Sequence, residues 1–365
     1  MPSFIKSGSR SMTTFVLCGV LLLLFLIDPD VCLKEAGRGL EISAAVLIPT
    51  LFPYTVISEM LVRADLGYYT EKIFKKSMKK LFGVSGSCAG ALAMGIICGF
   101  PIGAKTAVAL YSRGEISKRE CEKLLSFCNF PSAPFVIFAV GKNMLGSTKL
   151  GIFIYTVNIA AGLAFAMLSR RKNESTHTLE AAKTLENQAF FRIFTDSVTS
   201  AASAVTAVCA LVTFFTCAVG CLSSFELFRA FPALKAVVFS FFELTSGTSA
   251  CASLSPNPLA AVLAAGAVGW SGFSVFMQIY STFKADKEVP SLAPYIKSKL
   301  FSCAVCVAAT TAAMRLVPSL IPTALPDADA FSPLTAFPSD FIYTANILFA
   351  TSLFIKVIKN LTDSK

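Results

Sequence analysis

Three ionisable residues sit inside otherwise apolar stretches of this 365-residue chain: Glu59, Lys105 and Glu243. A charged group at the centre of a membrane helix costs roughly 2.5–3.5 kcal/mol on insertion scales, so such a residue has a partner or a function. Lys105 closes the stretch Gly99-Phe100-Pro101-Ile102-Gly103-Ala104-Lys105, where Gly99 and Gly103 let backbone N–H groups approach a ligand. A lysine beside such amides suits an anion. The plainer alternative is that its stem snorkels to the nearer interface. Glu243 opens Glu243-Leu244-Thr245-Ser246-Gly247-Thr248-Ser249. It could accept hydrogen bonds from a ligand, take up a coupling proton, or pair with Lys105. Glu59 follows Pro49 and Pro53 and reads as structural or as lying near the outer boundary.

Polar residues also gather at two helix-breaking clusters, Asn129-Phe130-Pro131-Ser132-Ala133-Pro134-Phe135 and Gly269-Trp270-Ser271-Gly272-Phe273-Ser274. Pro131 and Pro134 each remove a donor and free upstream carbonyls. Unpaired backbone groups are tolerated at membrane depth only where protein or a water-filled cavity surrounds them. Kinks made for packing would explain one such cluster. Two prolines three apart beside Asn129 and Ser132, mirrored later in the chain, point to binding instead. Signals of catalysis are missing: no H-E-x-x-H, G-x-S-x-G or phosphate-binding loop occurs, and the only histidine, His177, lies in a polar stretch. The chain reads as a non-enzyme with no metal site and no cofactor. Its 12 cysteines are scattered, many inside apolar runs, and Cys303-x-x-Cys306 reads as packing.

The elements that must carry these residues follow from hydropathy. Only 15% of residues are charged and 55% are hydrophobic, with a mean hydropathy of +0.67, whereas soluble domains carry about 25% charged residues. The fold class is therefore an all-α polytopic membrane protein. Apolar runs of spanning length cover 13–27, 42–62, 124–140, 150–168, 198–222, 259–282, 300–317 and 341–358. The first resembles a signal peptide, but Asp28-Pro29-Asp30 follows it rather than a small-residue cleavage site, so an uncleaved helix is expected. Two further stretches, 84–110 and 236–254, are apolar yet rich in Gly, Ser, Pro and Thr and broken near their middles. The expectation is about eight transmembrane helices plus two re-entrant hairpins.

The net charge of +10 raises nucleic acid as a partner, but Lys and Arg cluster in short loops between apolar runs without interleaved aromatics. That is the signature of cytoplasmic loops, and the partner it implies is a lipid bilayer. With the N-terminus inside, the inner loops hold most of the basic residues and the Asp-containing stretch 318–340 falls outside. Residues 71–80 read as an amphipathic helix on an anionic surface or as a solvated loop. The two broken stretches then enter from opposite sides, the arrangement of an inverted-topology repeat. The chain divides into an N-terminal helix and outer loop (1–39) and a first repeat (40–170) with hairpin 84–110 and broken helix 124–140. A cytoplasmic loop and interfacial segment (171–197) leads to a second repeat (198–295) with hairpin 236–254 and broken helix 259–282. C-terminal helices occupy 296–365.

The segments Leu92–Lys105, Phe127–Phe135, Glu243–Gly247 and Gly269–Gln278 resemble the YlbJ-type sporulation integral membrane proteins, in the wider nucleoside-recognition gate-domain superfamily related to concentrative nucleoside transporters. The resemblance covers roughly residues 40–360. It implies two helical hairpins and two unwound helices around a central substrate site, a bacterial multi-pass membrane protein, and a place in the outer forespore membrane. Carried onto this sequence, the substrate contacts it implies are Gly103, Lys105, Asn129, Ser132, Glu243, Thr245, Ser271 and Ser274. Family members often have a histidine where Phe276 stands, so a role for that histidine is absent here. The substrate implied is dipicolinic acid, with a nucleoside or a non-transporting scaffold as alternatives. Coupling ion and any homo-oligomer are left open.

Overall fold

The computed structural model of the chain describes residues 2–170, 190–283 and 288–317. Among these residues every regular element is helical. The span expected at 341–358, the loop at 171–189 with His177, and the stretch 318–340 lie outside the described residues.

Helix α1 covers Pro2–Ile27 and α2 covers Pro29–Ile42. The expected outer loop at 28–39 is thus helical from Pro29 onward. Asp28 accepts a hydrogen bond from the Val31 N–H at 3.2 Å, and Pro29 occupies the first helical position. Those are helix-start residues that hydropathy does not register. Helix α2 continues through a π-helical turn, Ser43–Leu47, into α3 at Ile48–Arg63.

Helix α4, Leu66–Phe82, ends at Gly83, whose φ of 67° only glycine adopts without strain. A 3₁₀ turn at Gly86–Cys88 then leads into α5, Ala89–Ile97, bent by 94° from α4. Two carboxylates hold this corner. Glu120 accepts from the Ser85 N–H at 2.7 Å and Glu71 accepts from the Ser87 N–H at 3.0 Å. Helix α6, Ile102–Ser112, folds back against α5. Short α7, Lys118–Leu125, starts at a reciprocal Ser117–Glu120 capping box. The chain is then irregular to Pro134, π-helical over Phe135–Met144, and helical again in α8, Thr148–Leu168.

The second part begins with α9, Phe190–Leu222, followed by the short α10, Glu226–Ala230. Helices α11, Pro232–Phe242, and α12, Leu244–Ala252, fold against each other. Helices α13, Pro258–Trp270, and α14, Phe273–Tyr280, are separated only by Ser271 and Gly272, and α15 covers Ala293–Leu316.

Five helical runs are long and apolar enough to cross a membrane: Pro29–Arg63, α8, α9, Pro258–Tyr280 and α15. The bent α4–α5 pair makes a sixth if it counts as one span. Large apolar side chains such as Phe15, Leu23, Leu33, Phe191 and Leu316 point outward with more than half of their surface exposed, as lipid-facing residues do. The protein is an integral, polytopic helical membrane protein.

Three apolar clusters hold it together. One surrounds the α5–α6 hairpin and includes the stacked rings of Phe82 and Phe127, 4.8 Å apart. Another joins α12, α13 and α15 through alanines that let the helices approach closely. The smallest, with Leu51, Met94, Ile102 and Val208, ties α3 and α9 to the first hairpin.

Candidate functional site

Each hairpin tip seats on the helix break that follows it. In the first half, the Phe100 N–H donates to the Phe130 carbonyl at 2.7 Å. Gly99, with φ +80°, lies so close to Ser132 that an added Cβ would stand 2.7 Å from its nitrogen. In the second half, Gly272, with φ +84°, would place a Cβ 3.0 Å from the Leu244 nitrogen at the other hairpin tip. Tip against break occurs twice, with unrelated side chains. The backbone is what matches.

Beside these segments lies a cavity of about 140 Å³, lined by Phe100, Ser132, Glu243, Thr245, Ser274 and Gln278 together with side chains of the 42–54 stretch and of α9. The Ser274 hydroxyl is fully buried and has no hydrogen-bond partner among the described residues. A buried polar atom left unpaired is costly, so a ligand or water bonding to it would be favoured. Glu243 is committed differently. Its two carboxylate oxygens accept from the Thr245 N–H at 3.0 Å and the Ser246 N–H at 2.6 Å, capping α12. An anion at a helix N-terminus is favourable. Pairing with Lys105, one of the alternatives open from sequence, does not occur.

A larger cavity of about 420 Å³ adjoins the first, sharing Leu51, Val208 and Gln278. Its charged lining is Glu59, Arg63, Lys105 and Arg113, with Ser200, Ser203, Ser281 and Thr282 supplying hydroxyls. Lys105 Nζ lies 3.0 Å from Glu59 Oε1 and donates to the Ser200 carbonyl at 3.2 Å. Glu59 is therefore the partner of Lys105, and it lies in the cavity wall. Arg63 is 3.9 Å from Glu59 and 3.7 Å from Asp196. Arg113 binds Asp65 at 2.6 Å and Glu115 at 2.5 Å. Burial pushes the Glu115 carboxyl above its ordinary range, and the Arg113 guanidinium beside it pulls the other way.

The remaining sequence candidates lie off both cavities. Gly103 serves packing: an added Cβ would fall 1.9 Å from the Cys128 carbonyl oxygen and 2.6 Å from the Gly95 Cα. Its missing side chain admits neighbouring backbone rather than a ligand. Ser271 takes a left-handed φ of 74° at the end of α13, and its hydroxyl donates to the Val268 carbonyl at 3.2 Å. The Asn129 side chain is buried beside the Tyr295 hydroxyl, and neither group closes a hydrogen bond of ordinary geometry. Phe276 stacks on Phe273 at 5.5 Å, so an aromatic pair stands where relatives are expected to have a histidine.

Lys299 is the residue that sequence reasoning missed. Hydropathy starts the span at Leu300 and leaves Lys299 in the preceding loop, whereas α15 begins at Ala293 and buries Lys299 to 3% exposure. Its ammonium donates to the Asn129 carbonyl at 2.6 Å and lies over the rings of Phe130 and Tyr295. Among the described residues no carboxylate lies within ion-pairing distance of it. The adjacent Ser298 hydroxyl donates to the Ser126 carbonyl at 2.5 Å. Two neighbouring side chains of α15 thus hold carbonyls of the irregular segment 126–134. The only sequence signal was Lys297-Ser298-Lys299 at a span edge.

No protein-family model matches the chain, and no solved structure matches it. Among curated proteins it is similar to the sporulation integral membrane protein YlbJ of Bacillus subtilis (strain 168), at 28% identity. The alignment covers 47% of this chain and 47% of that protein, so the chain matches about half of the relative's length.

Proposed function

We propose that this protein is a secondary transporter of a small organic anion, dipicolinic acid or a close analogue, carried from the mother cell across the outer forespore membrane during sporulation. The observation that carries the reading is the pair of adjoining cavities. One is lined by Lys105, Arg63 and Arg113, cationic side chains held by Glu59, Asp196, Asp65 and Glu115 that an entering anion would engage in exchange. The other is bordered by the two hairpin tips, the first helix break and the start of α14, the kind of discontinuity around which transporters build sites. In this reading Lys105 and Arg63 attract the carboxylates, while Ser132, Thr245 and Ser274 supply hydroxyls at the inner cavity. Glu243 positions the tip of the second hairpin. Similarity to a sporulation membrane protein supports the setting.

The test is uptake of labelled dipicolinate beside labelled uridine into inside-out vesicles containing the protein. Dipicolinate uptake that disappears with Lys105→Gln, at unchanged membrane insertion, supports the anion carrier and its site. Uridine uptake alone moves the assignment to nucleosides. Uptake of neither by correctly inserted protein makes a scaffold the better description.

A further inference from the structure

At the opposite end of α9 from the Lys105 contact, three cysteines meet. Cys32 lies in the first turn of α2, and Cys217 and Cys221 lie four residues apart near the end of α9, so they share one helix face. All three sulfur atoms fall within 4.8 Å of one another, with Cys32 Sγ and Cys217 Sγ 3.3 Å apart. Cys217 and Cys221 are buried, Cys32 is half-buried, and none forms a disulfide. The helices are pressed together here: a Cβ added at Gly220 would stand 2.3 Å from the Cγ of Glu35.

We propose that Cys32, Cys217 and Cys221 form a binding site for a thiophilic d¹⁰ metal cation, Zn²⁺ or Cu⁺. Metal–sulfur bonds of about 2.3 Å in trigonal or tetrahedral geometry require sulfur–sulfur separations of about 3.8–4.0 Å. The observed cluster needs only side-chain adjustments to reach them. Among the described residues no imidazole joins the cluster, and an all-sulfur set selects soft cations over Mg²⁺, Ca²⁺ or Mn²⁺. Thiol–thiol hydrogen bonds are weak, so three thiols turned toward each other gain little until a cation replaces their protons. Each thiol that binds loses one proton to solvent, and no electron is transferred. Asp28, which caps α2 and accepts from the Ser224 hydroxyl at 3.0 Å, borders the site and supplies negative charge beside the cation. The metal would cross-link α2 to α9, whose other half carries the cavity residues Ser200, Ser203 and Ala204.

The experiment is metal titration of the full chain, purified reduced in detergent, with Zn²⁺ and Cu⁺ in separate arms against competing chelators. One equivalent of either ion is expected, with a rise in the thermal midpoint. Cys217→Ser should weaken binding by more than about a hundredfold, beyond the cost of losing an outer-shell partner. Cys303→Ser/Cys306→Ser should leave it unchanged. X-ray absorption of the metal-loaded wild type reads the sulfur shell without any variant. Failure of the wild type to hold either ion, unchanged binding by the Cys32→Ser/Cys217→Ser/Cys221→Ser variant, or a shell of nitrogen and oxygen would overturn the proposal. The readout is independent of uptake, so it stands or falls apart from the transport reading.

Discussion

At the residue scale, the two lysines at depth divide the labour of charge. Lys105 was legible in sequence because it interrupts an apolar run, but its partner was not. Sequence places Glu59 some forty-six positions away with nothing to link them, and only the packing of α3 on α6 brings the side chains to 3.0 Å. Breaking a buried pair costs about 3–5 kcal/mol when the remaining charge is uncompensated. Arg63 takes up part of the Glu59 charge, so Lys105→Gln should destabilise by less. Adding Glu59→Gln should return the thermal midpoint to near wild type while dipicolinate uptake stays lost. Restored uptake in the double variant would mean that the pair is structural. Lys299 behaves oppositely. A buried cation without a carboxylate carries a desolvation cost that an apolar isostere avoids, against a charged hydrogen bond worth about 1.5–3 kcal/mol. Lys299→Met should therefore leave the thermal midpoint at or above wild type, while uptake drops about tenfold because the Asn129 carbonyl is released. A fall in stability with uptake intact would show Lys299 to be a fold determinant alone.

At the element scale, the breaks were readable and the contacts that exploit them were not. Pro131 and Pro134, Gly99 and the Ser271-Gly272 pair announce discontinuities because proline and glycine act locally on the backbone. Which break meets which hairpin is a property of tertiary packing. For the same reason Gly103 read as a ligand-facing glycine and proves to be half of a crossing with Gly95, whose added Cβ would lie 1.7 Å from the Cys128 carbonyl oxygen. Backbone cannot yield as a side-chain tip can, so Gly95→Ala and Gly103→Ala should each cost at least the roughly 1–3 kcal/mol of ordinary overpacking. Thermal unfolding in detergent checks this, and a loss below about 0.5 kcal/mol, the scale of ordinary surface substitutions, would argue against the crossing. Ser271→Gly makes the contrasting case. A non-glycine residue in the left-handed region costs about 1–2 kcal/mol, and the substitution removes that strain along with one hydrogen bond of about 1 kcal/mol. The net should be close to zero, whereas Gly272→Ala should destabilise and lower uptake together.

At the scale of the whole molecule, the bend before α5 and the basic face of α4 bear on how α4 meets the bilayer. The amphipathic pattern at 71–80 was visible in sequence; its direction relative to the spans was not, because a corner made by Glu71, Glu120 and a 3₁₀ turn is set by residues far apart in the chain. With α5 bent 94° from it, α4 lies roughly parallel to the membrane plane if α5 runs along the normal. Phe82 and Met78 face the protein, and Lys75, Lys76, Lys79 and Lys80 are exposed. A basic residue near an anionic leaflet is worth about 1 kcal/mol, an attraction that salt screens. Introducing phosphatidylglycerol into phosphatidylcholine nanodiscs should therefore raise the thermal midpoint of the wild type at low salt and less so at high salt. Replacing the four lysines by glutamine should remove most of that rise without altering the midpoint in neutral lipid. An equal rise in both proteins would detach α4 from the headgroups and leave its basic face simply solvated. Loss of stability in neutral lipid would instead show the lysines to be holding the corner itself, and with it the first hairpin whose tip closes the inner cavity.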